Sequence, residues 1–100
     1  MTFLVKWHLH REKRHQTLAL FSEMSVEQEE ASRGDVKVLG RWHDIVGGTG
    51  VMVASATSVE AIASYALNWN AFMDFEIVPV VDDEGARAVG RKMTQRQKTV

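Results

Sequence analysis

Residues 39–54 read LGRWHDIVGGTGVMVA, and this stretch decides the fold because it predicts two β-strands joined by a tight turn. Alternation from residue 36 to residue 43 predicts the first strand, and residues 51–56 predict the second. Gly47, Gly48 and Gly50 lie between these strands, and no Lys-Ser or Lys-Thr pair follows them. Because a phosphate-binding loop opens a helix instead, the glycines indicate a hairpin turn.

The N-terminal third of the chain predicts a strand followed by a helix. Apolar and polar side chains alternate over residues 3–9, as in a strand with one apolar face, whereas residues 11–24 carry apolar side chains at helical spacing. The charged run from Arg11 to Arg14 is expected to form a solvated first turn of that helix. Residues 25–35 are polar and predict a helix end or a loop that leads to a turn, and this segment is expected to be mobile.

The C-terminal part of the chain predicts a second helix and a fourth strand. Thr57 and Glu60 have the spacing of a capping box, which predicts a helix from about residue 58 to about residue 72. Residues 74–81 predict the fourth strand. Pro79 within that strand cannot donate a backbone hydrogen bond, so the strand is expected at a sheet edge or at a bulge.

The order strand, helix, strand, strand, helix, strand predicts the fold class. It is the order of the split β-α-β unit, so an α+β, ferredoxin-like domain (βαββαβ) is expected, with a four-stranded antiparallel sheet and two helices on one face. This domain is predicted over residues 1–84, and residues 85–100 are predicted as a basic C-terminal tail.

Such a sheet leaves its second face without helices. Apolar side chains are expected on that face, and a small domain that exposes a large apolar surface needs a partner to cover it. The sequence therefore predicts a homodimer formed through the sheet face. The residues assigned to the uncovered face are Leu4, Leu39, Met52, Val78 and Val80.

Composition disfavours several classes of protein. The net charge of -1 gives no steering toward nucleic acids or membranes, cysteine is absent, and no apolar run is long enough to span a bilayer, so a cytoplasmic protein is expected.

Residues 85–100 carry five basic and no acidic side chains. They are predicted as a solvated, partly helical tail or as a strap on the acidic body of the same chain or of a partner chain. Nucleic-acid binding is least favoured because no aromatic residue is interleaved.

Histidines and tryptophans supply the candidate site chemistry. Two histidines lie two residues apart near the end of the first strand, but no carboxylate shares their spacing, so no metal site is predicted. Trp42 and Trp69 are expected to pack as core aromatics or to line one cavity between sheet and helices. Adjacent strand residues point to opposite faces, which would leave Arg41 and His43 at the interface between subunits. No Ser-His-Asp arrangement can be assigned.

Residues 36–44, the glycine-rich turn that follows them, residues 66–70 and residues 74–80 resemble the small bacterial family of unknown function called DUF3303. The resemblance covers roughly residues 2–82 and leaves the basic tail after Asp83 outside. It implies the dimeric α+β barrel superfamily, whose members include cofactor-independent monooxygenases, haem-degrading enzymes, isomerases and proteins that bind small ligands. A haem-degrading member would place an axial histidine on the second helix, where this sequence has none, so no cofactor is expected.

Three functions are compatible with these residues and with the resemblance. The first is a homodimer that binds a small apolar or aromatic ligand between sheet and helices. The second is a cofactor-independent monooxygenase or isomerase that uses the same cavity, with His43 or His8 as acid or base. The third is a structural or interaction protein whose cavity is filled by its own side chains. The residues expected to contact a ligand are Trp7, Trp42, Tyr65, Trp69 and Asn70.

Overall fold

Four strands form one antiparallel sheet, and helices lie between and after them. The computed structural model describes residues 1–99. Its strands are β1 Thr2–Leu9, β2 Lys37–Asp44, β3 Thr49–Ser55 and β4 Met73–Val80. Its α-helices are α1 Arg14–Glu23, α2 Val26–Ser32, α3 Val59–Leu67 and α4 Asp83–Thr99, and a 3-10 turn, Arg11–Lys13, precedes α1.

The strand order β2-β3-β1-β4 confirms the predicted ferredoxin-like arrangement. Each neighbouring pair of strands is antiparallel, and β1 lies between β3 and β4. Strand β4 is an edge strand, as Pro79 predicts. No strand pairs with its outer side, so the backbone nitrogen of Pro79 has no inter-strand hydrogen bond to donate there. The predicted hairpin joins β2 to β3 through residues 45–48, and Gly48 adopts a φ of 69° that favours glycine.

Residues 25–35, predicted as a helix end or a loop, instead contain the separate helix α2. Ser25 and Gln28 form a reciprocal capping box: the Gln28 N–H donates to Ser25 Oγ at 3.0 Å, and the Ser25 N–H donates to Gln28 Oε1 at 2.9 Å. These contacts satisfy two backbone donors at the helix start. The prediction missed a separate helix because the polar composition of this segment outweighed the Ser-x-x-Gln spacing, which is a helix signal.

Helix α3 begins one residue later than predicted and is shorter. Its N-cap is Ser58, whose Oγ accepts a hydrogen bond from the Ala61 N–H at 3.1 Å, so the capping-box assignment to Thr57 is wrong. The helix ends at Leu67, and residues 68–72 form turns. The Phe72 carbonyl then accepts a hydrogen bond from the His10 N–H at 2.8 Å, which ties this turn to the end of β1.

Strand β2 contains a β-bulge that changes which side chains face the helices. Val38 pairs with Ala54 and Gly40 pairs with Val53, so Leu39 is an extra residue in the ladder. An extra residue reverses the alternation of every side chain that follows it in the strand. Residues 40 and 42 therefore do not lie on the same face of the strand as Val38.

The bulge corrects the predicted positions of three neighbouring residues. Arg41 pairs with Met52 on the helix side of the sheet, and His43 follows on the same side. Trp42 lies on the uncovered side and is 63% exposed. The predictions that Trp42 packs against Trp69, and that Arg41 and His43 lie on the uncovered face, are therefore wrong.

Helices α1 and α3 cover one face of the sheet, and the core lies between them. Met52, expected on the uncovered face, is buried here instead, because alternation along β3 places it beside Ala54 rather than beside Val53. The other core residues are Phe3, Val5, Trp7, Val36, Ala54, Ala56, Ile62, Tyr65, Trp69 and Met73.

Residues 83–99 form the continuous helix α4, where a partly helical tail was expected. The radius of gyration is 17.0 Å, compared with about 13 Å for a compact chain of this length. The longest dimension is 57 Å, and most α4 side chains are exposed, so the helix extends away from the sheet. Within residues 1–99, no helix combines the length and the apolar character that crossing a bilayer requires.

Candidate functional site

A cavity of about 100 Å³ lies between the helix side of the sheet and helices α1 and α3. A void of this size can hold several water molecules or a small organic group. Its wall is mostly apolar and includes six aromatic or imidazole side chains besides its aliphatic side chains. The lining residues are Trp7, Leu9, Arg14, Thr17, Leu18, Phe21, Arg41, His43, Asp44, Ile45, Thr49, Met52, Tyr65, Trp69, Met73 and Phe75.

Strand β1 contributes Trp7, whose indole lies directly over the backbone of Gly50 on β3. A Cβ at position 50 would overlap the ring, so only glycine permits this close approach. The edge of the Trp7 ring meets His43 at 5.5 Å between ring centroids, and Phe21 of α1 approaches His43 from another side at 5.4 Å. These rings form one wall of the cavity.

His43 stands at the open side of the cavity. Partial burial lowers the pKa of its imidazole below the ordinary value of 6.5, and the positive charge of Arg41 lowers it further. The ring is therefore neutral at pH 7. A neutral imidazole presents one donor and one acceptor nitrogen, so His43 can accept a hydrogen bond or a proton from a molecule in the cavity.

A buried ion cluster lies beneath the cavity. The Glu29 carboxylate, on α2, is 6% exposed. It accepts a hydrogen bond from Arg41 Nη1 at 2.8 Å and forms an ion pair with Arg33 Nε at 2.9 Å, the latter without the alignment of a hydrogen bond. The Arg41 guanidinium lies 5.0 Å from the centre of the Phe21 ring. Glu29 thus holds Arg41 in place against the aromatic wall.

Tyr65 of α3 completes the polar part of the wall. Burial raises the pKa of its phenol, and the positive charge of Arg41 opposes part of that rise. The phenol is therefore protonated at neutral pH. A protonated phenol at the cavity wall can donate a hydrogen bond as well as accept one.

Arg14, at the start of α1, also lines the cavity. Its Nε is buried and has no hydrogen-bond partner. The prediction that residues 11–14 form a solvated turn is therefore wrong for Arg14, because the β2–β3 hairpin folds over its side chain at Gly48. Nothing in the charged run itself distinguishes Arg14 from its exposed neighbours.

The structure brings together some of the predicted site residues and separates others. Trp7, Tyr65 and Trp69 line the cavity, and Trp69 also packs near Phe72 with ring centroids 6.2 Å apart. Asn70 is exposed in the turn after α3 and does not reach the cavity. Sequence reasoning missed Arg14 and Thr17.

The two candidate catalytic histidines lie on opposite faces of the sheet. His43 borders the cavity, whereas His8 is exposed on the uncovered face. Both histidines and Trp42 also line a second, more open depression. His10 pairs with Asp74, with 3.1 Å between Nε2 and Oδ1. Among residues 1–99, no three or more histidine, aspartate or glutamate side chains come together as a metal site would require.

Comparisons with known proteins address the family and the fold. The sequence model of a family described as "Domain of unknown function (DUF3303)" matches residues 1–94. The match includes most of α4, so the prediction that similarity ends near Asp83 is wrong. The chain is also similar to a solved structure of an uncharacterized NIPSNAP domain protein from Burkholderia xenovorans, with 11% identity, a TM-score of 0.47, and coverage of 83% of this chain and 97% of that chain. No curated protein matches.

Proposed function

This chain belongs to the DUF3303 family, a domain family of unknown function, and we propose from its cavity that it binds a small apolar or aromatic molecule between the sheet and the helices. The observation that carries the proposal is the void of about 100 Å³ beside Trp7, Tyr65 and Trp69. Protein cores are close-packed, and voids larger than a water molecule are few. An unfilled, ring-lined space favours a ligand over the structural alternative, in which side chains would fill it.

The expected affinity follows from the area that such a ligand could bury. Transferring roughly 200 Å² of apolar ligand surface from water to the cavity would contribute about 5 kcal/mol. The loss of translational and rotational freedom on binding offsets a large part of that gain. Binding of a small aromatic molecule is therefore expected in the micromolar to millimolar range.

Two leucines on α1 provide a matched test of cavity binding. Leu18 lines the cavity and is 43% exposed, whereas Leu20 is 42% exposed and does not line it. Leu18→Phe is expected to fill part of the void and weaken the binding of phenol several-fold, because the larger ring competes for the same space. Leu20→Phe should leave the affinity unchanged. Amide chemical shifts measured during a phenol titration report both affinity and location.

Two outcomes of that titration would contradict cavity binding. One is the absence of any shift change at millimolar phenol in the parent protein. The other is an equal loss of affinity in the Leu18 and Leu20 variants, which would show that the probe binds elsewhere on the surface.

We further propose that the uncovered sheet face pairs with a second copy of the chain. Leu39, Trp42 and Val78 on this face are exposed, and partly exposed aliphatic residues of β1, β3 and β4 lie between them. A contiguous apolar surface on a small domain is unfavourable in water and marks an interaction site. A two-fold axis across the sheet would cover it with the same residues from the partner.

The molecular mass of the protein in solution tests the proposed dimer. Light scattering at micromolar concentration is expected to give twice the chain mass of 11.3 kDa. Trp42→Glu should give a monomer, because it places a charge at the paired face without disturbing the core. Leu67→Glu, an equally drastic change at an exposed position on α3, should leave the dimer intact. A monomeric parent protein would contradict the proposal.

An enzymatic use of the cavity stays a second prediction. A cofactor-independent monooxygenase or isomerase would need an acid or base within reach of the ligand, and His43 is the histidine that borders the cavity. Its lowered pKa supports a role as a proton acceptor at neutral pH. A cytoplasmic location also stays a prediction.

A further inference from the structure

Arg14 places a positive charge at the wall of a mostly apolar cavity. An arginine side chain stays protonated in proteins, so its five N–H donors need acceptors or water. The Nε of Arg14 is buried and has no partner. A buried donor of a charged group without an acceptor is energetically unfavourable, so the protein itself does not compensate the guanidinium of Arg14.

The other arginine at the cavity is already neutralised, and Arg14 is not. Arg41 is paired with Glu29 at 2.8 Å. Within residues 1–99, no carboxylate lies at ion-pairing distance from Arg14. Asp44 also lines the cavity, but its oxygens accept hydrogen bonds from the Gly47 N–H at 2.9 Å and the Thr49 hydroxyl at 3.4 Å. The positive charge of Arg14 is therefore available to a ligand.

The hairpin turn fixes the position of this guanidinium. Gly48 has a φ of 69°, and a Cβ on it would meet Nε of Arg14 and lie 2.8 Å from Cζ. The side chain thus packs directly against the turn, unlike a freely rotating surface arginine. A donor group held in this way loses less conformational entropy when it binds an acceptor.

We propose that the ligand of this cavity is a small apolar or aromatic acid whose carboxylate is bound by Arg14. The apolar part of such a ligand lies against Trp7 and Trp69, and its carboxylate compensates the positive charge of the Arg14 guanidinium. The inference rests on the proposed ligand-binding function and adds the chemical class of the ligand. A neutral molecule of the same shape would fill the cavity but would leave the charge of Arg14 uncompensated.

Benzoate and benzamide test this inference, because they share a ring and a shape and differ in charge. At pH 7.5 the parent protein is expected to bind benzoate roughly ten-fold or more tightly than benzamide, as a charge-assisted hydrogen bond predicts. Arg14→Gln should abolish this preference, because it removes the positive charge from the cavity wall. Arg14→Lys should retain part of it. Arg11→Gln removes an exposed arginine of the preceding turn and should change nothing. Amide shift titrations measure all of these affinities.

The outcomes separate this inference from the proposed function. Equal affinities for benzoate and benzamide in the parent protein would overturn a role for Arg14 but leave cavity binding intact. A benzoate preference that survives Arg14→Gln would likewise overturn it. If neither compound shifts the cavity amides at millimolar concentration, ligand binding itself fails. An amide spectrum of Arg14→Gln that matches that of the parent protein outside the cavity shows that this variant is folded.

Discussion

Replacing Glu29 by glutamine is expected to lower the free energy of unfolding by about 3 kcal/mol, because it removes the negative charge between two guanidinium groups. The carboxylate lies 2.9 Å from Arg33 Nε and 2.8 Å from Arg41 Nη1, and both arginine side chains are largely shielded from water. Glutamine keeps the size of the side chain but leaves two cations facing a neutral amide. Urea denaturation followed by circular dichroism measures the change.

Glu30 offers a matched control for this substitution. It is the next residue of α2, its side chain is 61% exposed, and it lies 3.9 Å from Arg33 Nη2. Glu30→Gln should change stability by no more than about 0.5 kcal/mol, as for other exposed ion pairs. If the Glu29 and Glu30 variants were equally stable, Arg33 and Arg41 would have to reach water in Glu29→Gln. The ion pairs of Glu29 would then not contribute to stability.

The consequence of the Glu29 substitution extends to the cavity. Arg41 connects the buried carboxylate to the Phe21 ring and to His43, whose pKa it lowers. A variant in which Arg41 moves should therefore alter the cavity wall as well as the stability. Helix α2, whose sequence predicted only a helix end or a loop, is thus the element that holds part of the candidate site in place.

The fold was predictable from sequence because its signals are local. Alternation identifies the four strands, helical spacing identifies α1 and α3, and Pro79 identifies an edge strand. Their order then leaves few topologies. An error of a few residues in the predicted boundary of a helix or strand does not change the predicted arrangement of the sheet.

The composition of the site was less predictable because it depends on a single residue. Apolar residues 36 and 38 suggest a face that continues to Trp42, and nothing in the sequence marks Leu39 as an insertion in the ladder. One bulge exchanges the faces of all later residues in β2. It moves Trp42 out of the expected cavity and brings Arg41 and His43 into it. Arg14 was missed for a related reason, because its burial depends on a hairpin more than thirty residues away.

Gly50→Ala is expected to lower the free energy of unfolding by about 2 kcal/mol, in the range of other overpacked core substitutions. The added methyl group would occupy space that the Trp7 indole fills in the parent protein. Alanine also restricts the unfolded chain, which offsets part of the loss by about 0.5 kcal/mol. Because Trp7 cannot move toward β3, its ring must turn toward the cavity. The emission of Trp7 should therefore change, and phenol should bind more weakly.

Gly90→Ala is the control for the steric explanation of the Gly50→Ala effect, and it is expected to give the opposite result. Position 90 lies within α4, and an added Cβ would meet nothing within 4 Å. Alanine there should leave stability unchanged or raise it by up to about 1 kcal/mol, because it favours the helix. If Gly50→Ala also left stability, tryptophan emission and phenol binding unchanged, Trp7 could not lie over β3. The aromatic wall on which the ligand proposal depends would then be wrong, since that wall requires the indole to rest on a backbone without a side chain.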